Sequence, residues 1–229
     1  MEERPLEGGR VTSGVVRVGD TFRRPPGPIS PFVRELLGHL YERGFNAAPR
    51  HLGRDEQGRE IFSFIPGSVP PNLDPGFPDE TLTAAARITR RFHDATAGTG
   101  LSAGESVVCH NDLSPCNFVF RGGEPVAIID FDAAAPGARL RDVGYALFLW
   151  LNLGVDGAPV PEQARRIEVF CGAYGVEADE ETVEAVIEAV AANLEQLRAA
   201  GRSGDVEWWG DQLIWLRRNR SALVSLLHT

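Results

Sequence analysis

Between residues 108 and 132 short apolar runs alternate with a spaced set of polar side chains, a pattern that leaves few ways to fold. An apolar run enters the polar loop His110-Asn111-Asp112-Leu113-Ser114-Pro115 and reads as a strand ending at a mouth. Two more apolar segments, 117–120 and 125–129, flank Arg121-Gly122-Gly123-Glu124, which predicts a β-hairpin. Folding about the Gly123/Glu124 junction sets Asn117 opposite Asp130, with Cβ atoms roughly 4.5–5.5 Å apart. An amide oxygen and a carboxylate so placed suit a hard cation such as Mg²⁺, which takes oxygen ligands and keeps waters for a phosphate-bearing substrate. Asp112 adds a carboxylate at the same mouth.

His110, Asp112 and Asn117 in H-x-D-x-x-x-x-N spacing, followed by Ile129-Asp130-Phe131-Asp132, resemble the catalytic loop and metal-binding aspartate of the aminoglycoside phosphotransferase family. The resemblance implies an α+β, protein-kinase-like two-lobe fold with a reduced β-rich N-lobe over 1–67 and a mainly helical C-lobe over 68–229. It also implies Mg²⁺-dependent transfer of the γ-phosphoryl group of ATP or GTP to a hydroxyl of an aminoglycoside-like or other antibiotic or metabolite acceptor. Asp112 then matches the residue that accepts the hydroxyl proton, and Asn117 and Asp130 match the Mg²⁺ ligands. Asn111 stands where the family often has glycine, and Ser114 and Cys116 depart from its common histidine and glycine. His110 reads as a brace for the loop. Asp132 either extends the metal site or bonds the turn after the strand.

Composition narrows the partners. A net charge of −9 argues against nucleic acid, whose phosphates need a basic surface. It suits cationic substrates and equally suits simple solubility. Three cysteines at no zinc-ligand spacing, no leader-like start and a longest apolar run of only 143–151 point to a cytoplasmic protein without a membrane partner. The sequence contains no lysine, so all of its 23 basic Lys/Arg residues are arginines. In the resemblance the nucleotide phosphates are held by a strand lysine. That place falls to Phe22-Arg23-Arg24, where period-two alternation turns Phe22 and Arg24 inward and leaves Arg23 solvated. Arg24 is thus the candidate phosphate clamp, with two surface arginines as the plain alternative.

Strands are expected over 14–18 and 21–24, and a helix over 31–43, capped by Ser30 and striped by Phe32, Leu36, Leu37 and Leu40. In the resemblance this helix supplies a glutamate to the clamp, which makes Glu35 the partner of Arg24. Gly8-Gly9-Arg10 is either a remnant phosphate loop or a turn. Strands over 48–52 and 60–65 lead to Pro66-Gly67, the place where the family joins its lobes, with the base edge read near Ser63, Phe64 and Ile65. A helix capped by Asp79 carries Phe92-His93-Asp94 behind the catalytic loop, and Asp142 opens a buried helix as a charge stabiliser or brace. Farther on, Asp179, Glu180, Glu181, Glu184 and Glu188 read first as helix-dipole complementation and, by resemblance, as an acceptor wall. Trp208, Trp209 and Trp215 offer a pocket wall, while helical spacing reads Trp209, Leu213 and Leu216 first as a core stripe. A catalytically silent nucleotide- or small-molecule-binding protein and, less well supported, a metal-dependent hydrolase built on His110, Asp112, Asp130 and Asp132 are the rival readings.

Overall fold

The structure, a computed structural model, describes residues 2–5, 14–71 and 76–227, so Gly8-Gly9-Arg10 lies outside the described residues. Strands β1 (Arg4–Pro5), β2 (Val16–Val18), β3 (Thr21–Arg24), β4 (His51–Arg54) and β5 (Glu60–Ser63) form one antiparallel sheet, ordered β1-β2-β3-β5-β4. Gly19-Asp20 turns β2 into β3, as its turn chemistry predicts. Because side chains alternate, Phe22 shares a face with Arg24, and Phe62 shares one with Glu60. Phe22 and Phe62 stack across the strands at 5.1 Å. Arg23, expected in solvent, is mostly covered: its guanidinium lies 3.6 Å from Asp55 on the turn between β4 and β5.

Helix α1 (Ser30–Glu42) buries Val33, Leu36, Leu37 and Leu40 in the same core as Phe62, while Phe32 is only half-buried. Ser30 does not cap it. Its hydroxyl instead accepts the Gly27 N–H at 2.9 Å, closing the turn that leads into the helix. Beyond Gly67 the chain is pinned to the predicted hairpin, because Ser68 and Phe120 exchange backbone hydrogen bonds of 3.0 and 2.7 Å.

That hairpin is β7 (Phe118–Arg121) and β8 (Glu124–Ile128), preceded by β6 (Val107–Cys109), which pairs with β9 (Ala135–Gly137). Among the described residues five further α-helices follow: α2 (Asp79–Thr96), α3 (Arg139–Leu151), α4 (Val160–Tyr174), α5 (Glu180–Ala199) and α6 (Ser203–Leu226). The apolar α3 runs through the core, with Val143, Leu147, Phe148 and Trp150 all buried. Its Gly144 meets the Ala185 carbonyl of α5 so closely that a Cβ has no room, which sets the two helix backbones in contact beside the site. Asp179 caps α5 by accepting the Thr182 N–H at 3.0 Å, whereas Asp79 sits in the first turn of α2 and pairs with Arg165 at 2.6 Å. Among the described residues no helix is long and apolar enough to cross a membrane.

Candidate active site

One large cleft of about 1920 Å³ is lined by Arg24 from β3, Asp112 and Asn117 from the loop after β6, Asp130 after β8, and side chains of α3, α5 and α6. The hairpin register differs from the expectation. Phe118 pairs with Ile128 and Arg121 with Glu124 around Gly122-Gly123, and a bulge lies between Val119 and Phe120. Asn117 therefore faces Ile129, whose N–H donates to the Asn117 carbonyl at 2.9 Å. Asp130 lies one residue farther on, where an extended strand would send its side chain to the other face. It instead adopts φ 64°, a left-handed conformation that re-aims the carboxylate into the cleft. Asn111 has φ 62°, which explains how asparagine serves at a position where glycine is common: both tolerate this region. Its side-chain amide donates to the Ala133 carbonyl at 2.8 Å, tying the loop to the turn after Asp130.

Two buried groups shape the loop. Asp142, fully buried at the start of α3, accepts the His110 and Asn111 backbone N–H groups at 2.5 and 2.7 Å and the His93 Nε2 at 3.0 Å. The Tyr174 hydroxyl closes this network at 2.7 Å from His93 Nδ1. Asp142 is thus the brace rather than a free charge at a helix end. His110 is structural as expected, donating to the Ile129 carbonyl at 3.0 Å and accepting the Asp112 N–H at 3.3 Å.

Asp112 presents its carboxylate to the cleft, and the Tyr145 hydroxyl donates to its Oδ1 at 3.1 Å. Burial, followed by the nearby Asp112 charge, holds the Tyr145 phenol far above its ordinary range, so it stays a neutral donor. Sequence reasoning missed Tyr145, although its place one helical turn after Asp142 sets it on the same face of α3.

The residues present fit a divalent cation. Burial, reinforced by the charges of Asp132 and Asp112, holds the Asp130 carboxyl above its ordinary value, although His110 and Arg24 pull the other way. A carboxylate in that setting is stabilised by a cation beside it. Asn117 donates its amide N–H to the Asp112 carbonyl at 2.9 Å, which leaves its side-chain oxygen as the available ligand. No cluster of three or more His, Cys, Asp or Glu side chains able to hold a metal occurs among the described residues. An ion here would depend on Asn117, Asp130, water and substrate oxygens, the habit of Mg²⁺ rather than of zinc.

Arg24 reaches the cleft as expected, but its partner differs. Its Nη1 lies 2.7 Å from Asp132 Oδ1, and its guanidinium lies 5.1 Å from the Phe62 ring centre. Glu35 is exposed on α1 and makes no ion pair among the described residues, because the apolar stripe of that helix turns Glu35 away from the sheet. Glu181, Glu184 and Glu188 of α5 line the far wall of the cleft, together with Trp208 and Trp209. Glu184 also pairs with Arg220 at 2.8 Å. Trp209 is half-buried and packs against the core that holds Leu213 and Leu216, 4.9 Å from Phe148, while its ring also lies 6.4 Å from Tyr145 and lines the cleft beside the Asp112 partner.

The profile of the phosphotransferase enzyme family matches residues 97–175. Over 195 residues the chain is 34% identical to the trifolitoxin immunity protein of Rhizobium leguminosarum bv. trifolii, covering 74% of this chain and 72% of that one. The microcompartment-associated aminopropanol kinase superposes with a TM-score of 0.68 at 14% identity, covering 98% of this chain and 94% of the other. The streptomycin–ATP–APH(2")-IIa ternary complex gives a TM-score of 0.60 at 14% identity, covering 91% of each chain. At such identities the likeness is one of fold: a kinase-like, two-lobed α+β arrangement with a small antiparallel sheet in the N-lobe.

Proposed function

The chain belongs to the phosphotransferase enzyme family, and on that premise we propose that its cleft moves the γ-phosphoryl group of ATP or GTP onto a hydroxyl of a small molecule. The observation that carries this reading is the Asp112 carboxylate, held at Oδ1 by Tyr145 inside the cleft that Asn117 and Asp130 also line. Its second oxygen orients the acceptor hydroxyl and takes its proton, a contribution on the order of 10²–10⁴ in rate. Asn117 and Asp130 would hold Mg²⁺, which neutralises charge on the β- and γ-phosphates. Arg24 clamps the phosphates that are not transferred, where its planar guanidinium matches phosphate oxygens in pairs. Ser63, Phe64 and Ile65 line the same cleft and offer backbone edges to the base.

The α5 carboxylates and the two indoles favour a cationic acceptor with an apolar face. An antibiotic-like acceptor also accords with the relative named as an immunity protein and with the streptomycin held by the kinase-like neighbour. The test is transfer of γ-labelled phosphate from ATP and from GTP to a panel of aminoglycosides, macrolides, peptide antibiotics and simple amino alcohols. Labelled product from at least one acceptor, only in the presence of Mg²⁺, is the expected result. Label that never leaves the nucleotide with any of them counts against transfer.

A silent binding protein on the same fold is the second reading. It draws on the Arg24–Asp132 pair, which engages the clamp internally, and on a sequence without lysine. In that case nucleotide binds but neither product nor inorganic phosphate appears.

A further inference from the structure

The exposed position of Glu35 leaves the phosphate clamp without the carboxylate that usually steadies such a cation, yet the sheet holds an unused one. Glu60 on β5 is 0% exposed, and neither of its carboxylate oxygens has a hydrogen-bond donor. The register sets it directly opposite Arg24 on one side and Arg54 on the other, so the three side chains form one cross-strand row on one face. Arg54 stands 3.9 Å away and His51 3.8 Å away, both beyond hydrogen-bonding distance. His51 supplies no full charge at neutral pH, because burial holds it below its ordinary value despite the attraction of Glu60. Arg24 shows the matching deficit: its Nε is buried and donates to nothing, while Nη1 is taken by Asp132. A buried carboxylate without donors and a buried guanidinium nitrogen without an acceptor, on neighbouring strands, complement each other.

We propose that Glu60 is the positioning residue of the phosphate clamp: as a nucleotide enters, Arg24 leaves Asp132, its Nε turns across the strand pair onto Glu60, and its terminal amino groups meet the non-transferred phosphates. The proposal rests on the phosphotransfer reading and replaces the helix-borne glutamate with a strand-borne one. A polyphosphate competes well with Asp132 for Arg24, since it offers paired oxygens and more charge. Glu60 then fixes the plane of the guanidinium from behind, a task for which arginine suits better than lysine because its Nε–H lies in the same rigid fork.

The test is the affinity of the full chain for Mg²⁺–ATP and Mg²⁺–GTP by titration, alongside the melting temperature without nucleotide, for wild type and Glu60→Gln. The expected result is about tenfold weaker nucleotide binding in the variant, the scale of one lost charge-assisted hydrogen bond. Its nucleotide-free melting temperature should be no lower than wild type, since a buried carboxylate that accepts no hydrogen bond has been removed. In a nucleotide-hydrolysis assay KM for the nucleotide should rise while kcat stays nearly constant. Unchanged nucleotide affinity overturns the proposal, and a lowered melting temperature with that unchanged affinity makes Glu60 merely structural. Wild-type protein that binds neither nucleotide overturns the phosphotransfer reading itself, and this proposal with it. Should Glu60→Gln not fold, Glu60→Asp keeps the charge but withdraws it from Arg24, and the same weakening is expected; unchanged affinity there also overturns the proposal.

Discussion

Asp112→Ala is expected to remove turnover, by roughly 10²–10⁴-fold or more, while nucleotide affinity stays within about twofold of wild type. Among the described residues the Asp112 carboxylate is hydrogen-bonded to the Tyr145 hydroxyl, which the cleft's water can satisfy once the carboxylate is gone. The loop is held by other atoms, namely His110 on the Ile129 carbonyl and the two N–H groups on Asp142. The groups assigned to the ion and the phosphates, Asn117, Asp130 and Arg24, are therefore left in place. Paired measurement of single-turnover phosphoryl transfer and nucleotide binding checks this. Wild-type turnover in the variant would mean that the proton goes elsewhere. A collapse of nucleotide binding would mean that Asp112 belongs to the metal site.

A larger structural effect is expected at Asp142. Removing its carboxylate in Asp142→Ala leaves the His110 and Asn111 N–H groups and the His93 ring without their acceptor in a fully buried site. A broken buried network of this kind costs about 3–5 kcal/mol. For a chain of this size each kcal/mol lowers Tm by roughly 2–4 °C, so a fall of about 10 °C is expected. Thermal melting measures it, and hydrogen exchange at the amides of residues 110 and 111 should accelerate far more than exchange elsewhere. A melting temperature within about 2 °C of wild type would show that water takes over the carboxylate's role. Turnover should fall as well, because the loop that carries Asp112 loses its rear support.

Much of the site was legible because its residues are close in sequence. Spacing alone placed Asp112, Asn117 and Asp130 at one mouth, and alternation along β3 put Arg24 in the same cleft. The hairpin register was read one residue out at Asn117, because the chain turns at Gly122-Gly123 rather than at the Gly123/Glu124 junction; the bulge between Val119 and Phe120 then restores part of that offset. Asp130 still reaches the cleft through its left-handed backbone, a compensation that local pattern does not encode. The Arg24–Glu35 pairing failed for a tertiary reason: which face of α1 meets the sheet depends on the whole core, and the buried Val33 rather than Phe32 completes its stripe. Glu60 carried a usable signal, because it shares its strand face with the buried Phe62, but a charged residue at a strand start ordinarily reads as surface. The cleft-lining positions of Glu181, Glu188, Trp208 and Trp209 depend on how α5 and α6 cross, and no periodicity within either helix specifies that.

The most direct measurement of the central claim, that Asn117 and Asp130 create a divalent-metal nucleotide site, is thermal stability with ATP and GTP, with and without Mg²⁺, in wild type and Asp130→Asn. Wild-type protein should melt several degrees higher with nucleotide and Mg²⁺ together, about 2.7 kcal/mol of stabilisation when nucleotide is at a hundredfold its Kd, and the variant should lose most of that gain. No stabilisation by either nucleotide, or an equal gain in the presence of a chelator or in Asp130→Asn, would contradict the account.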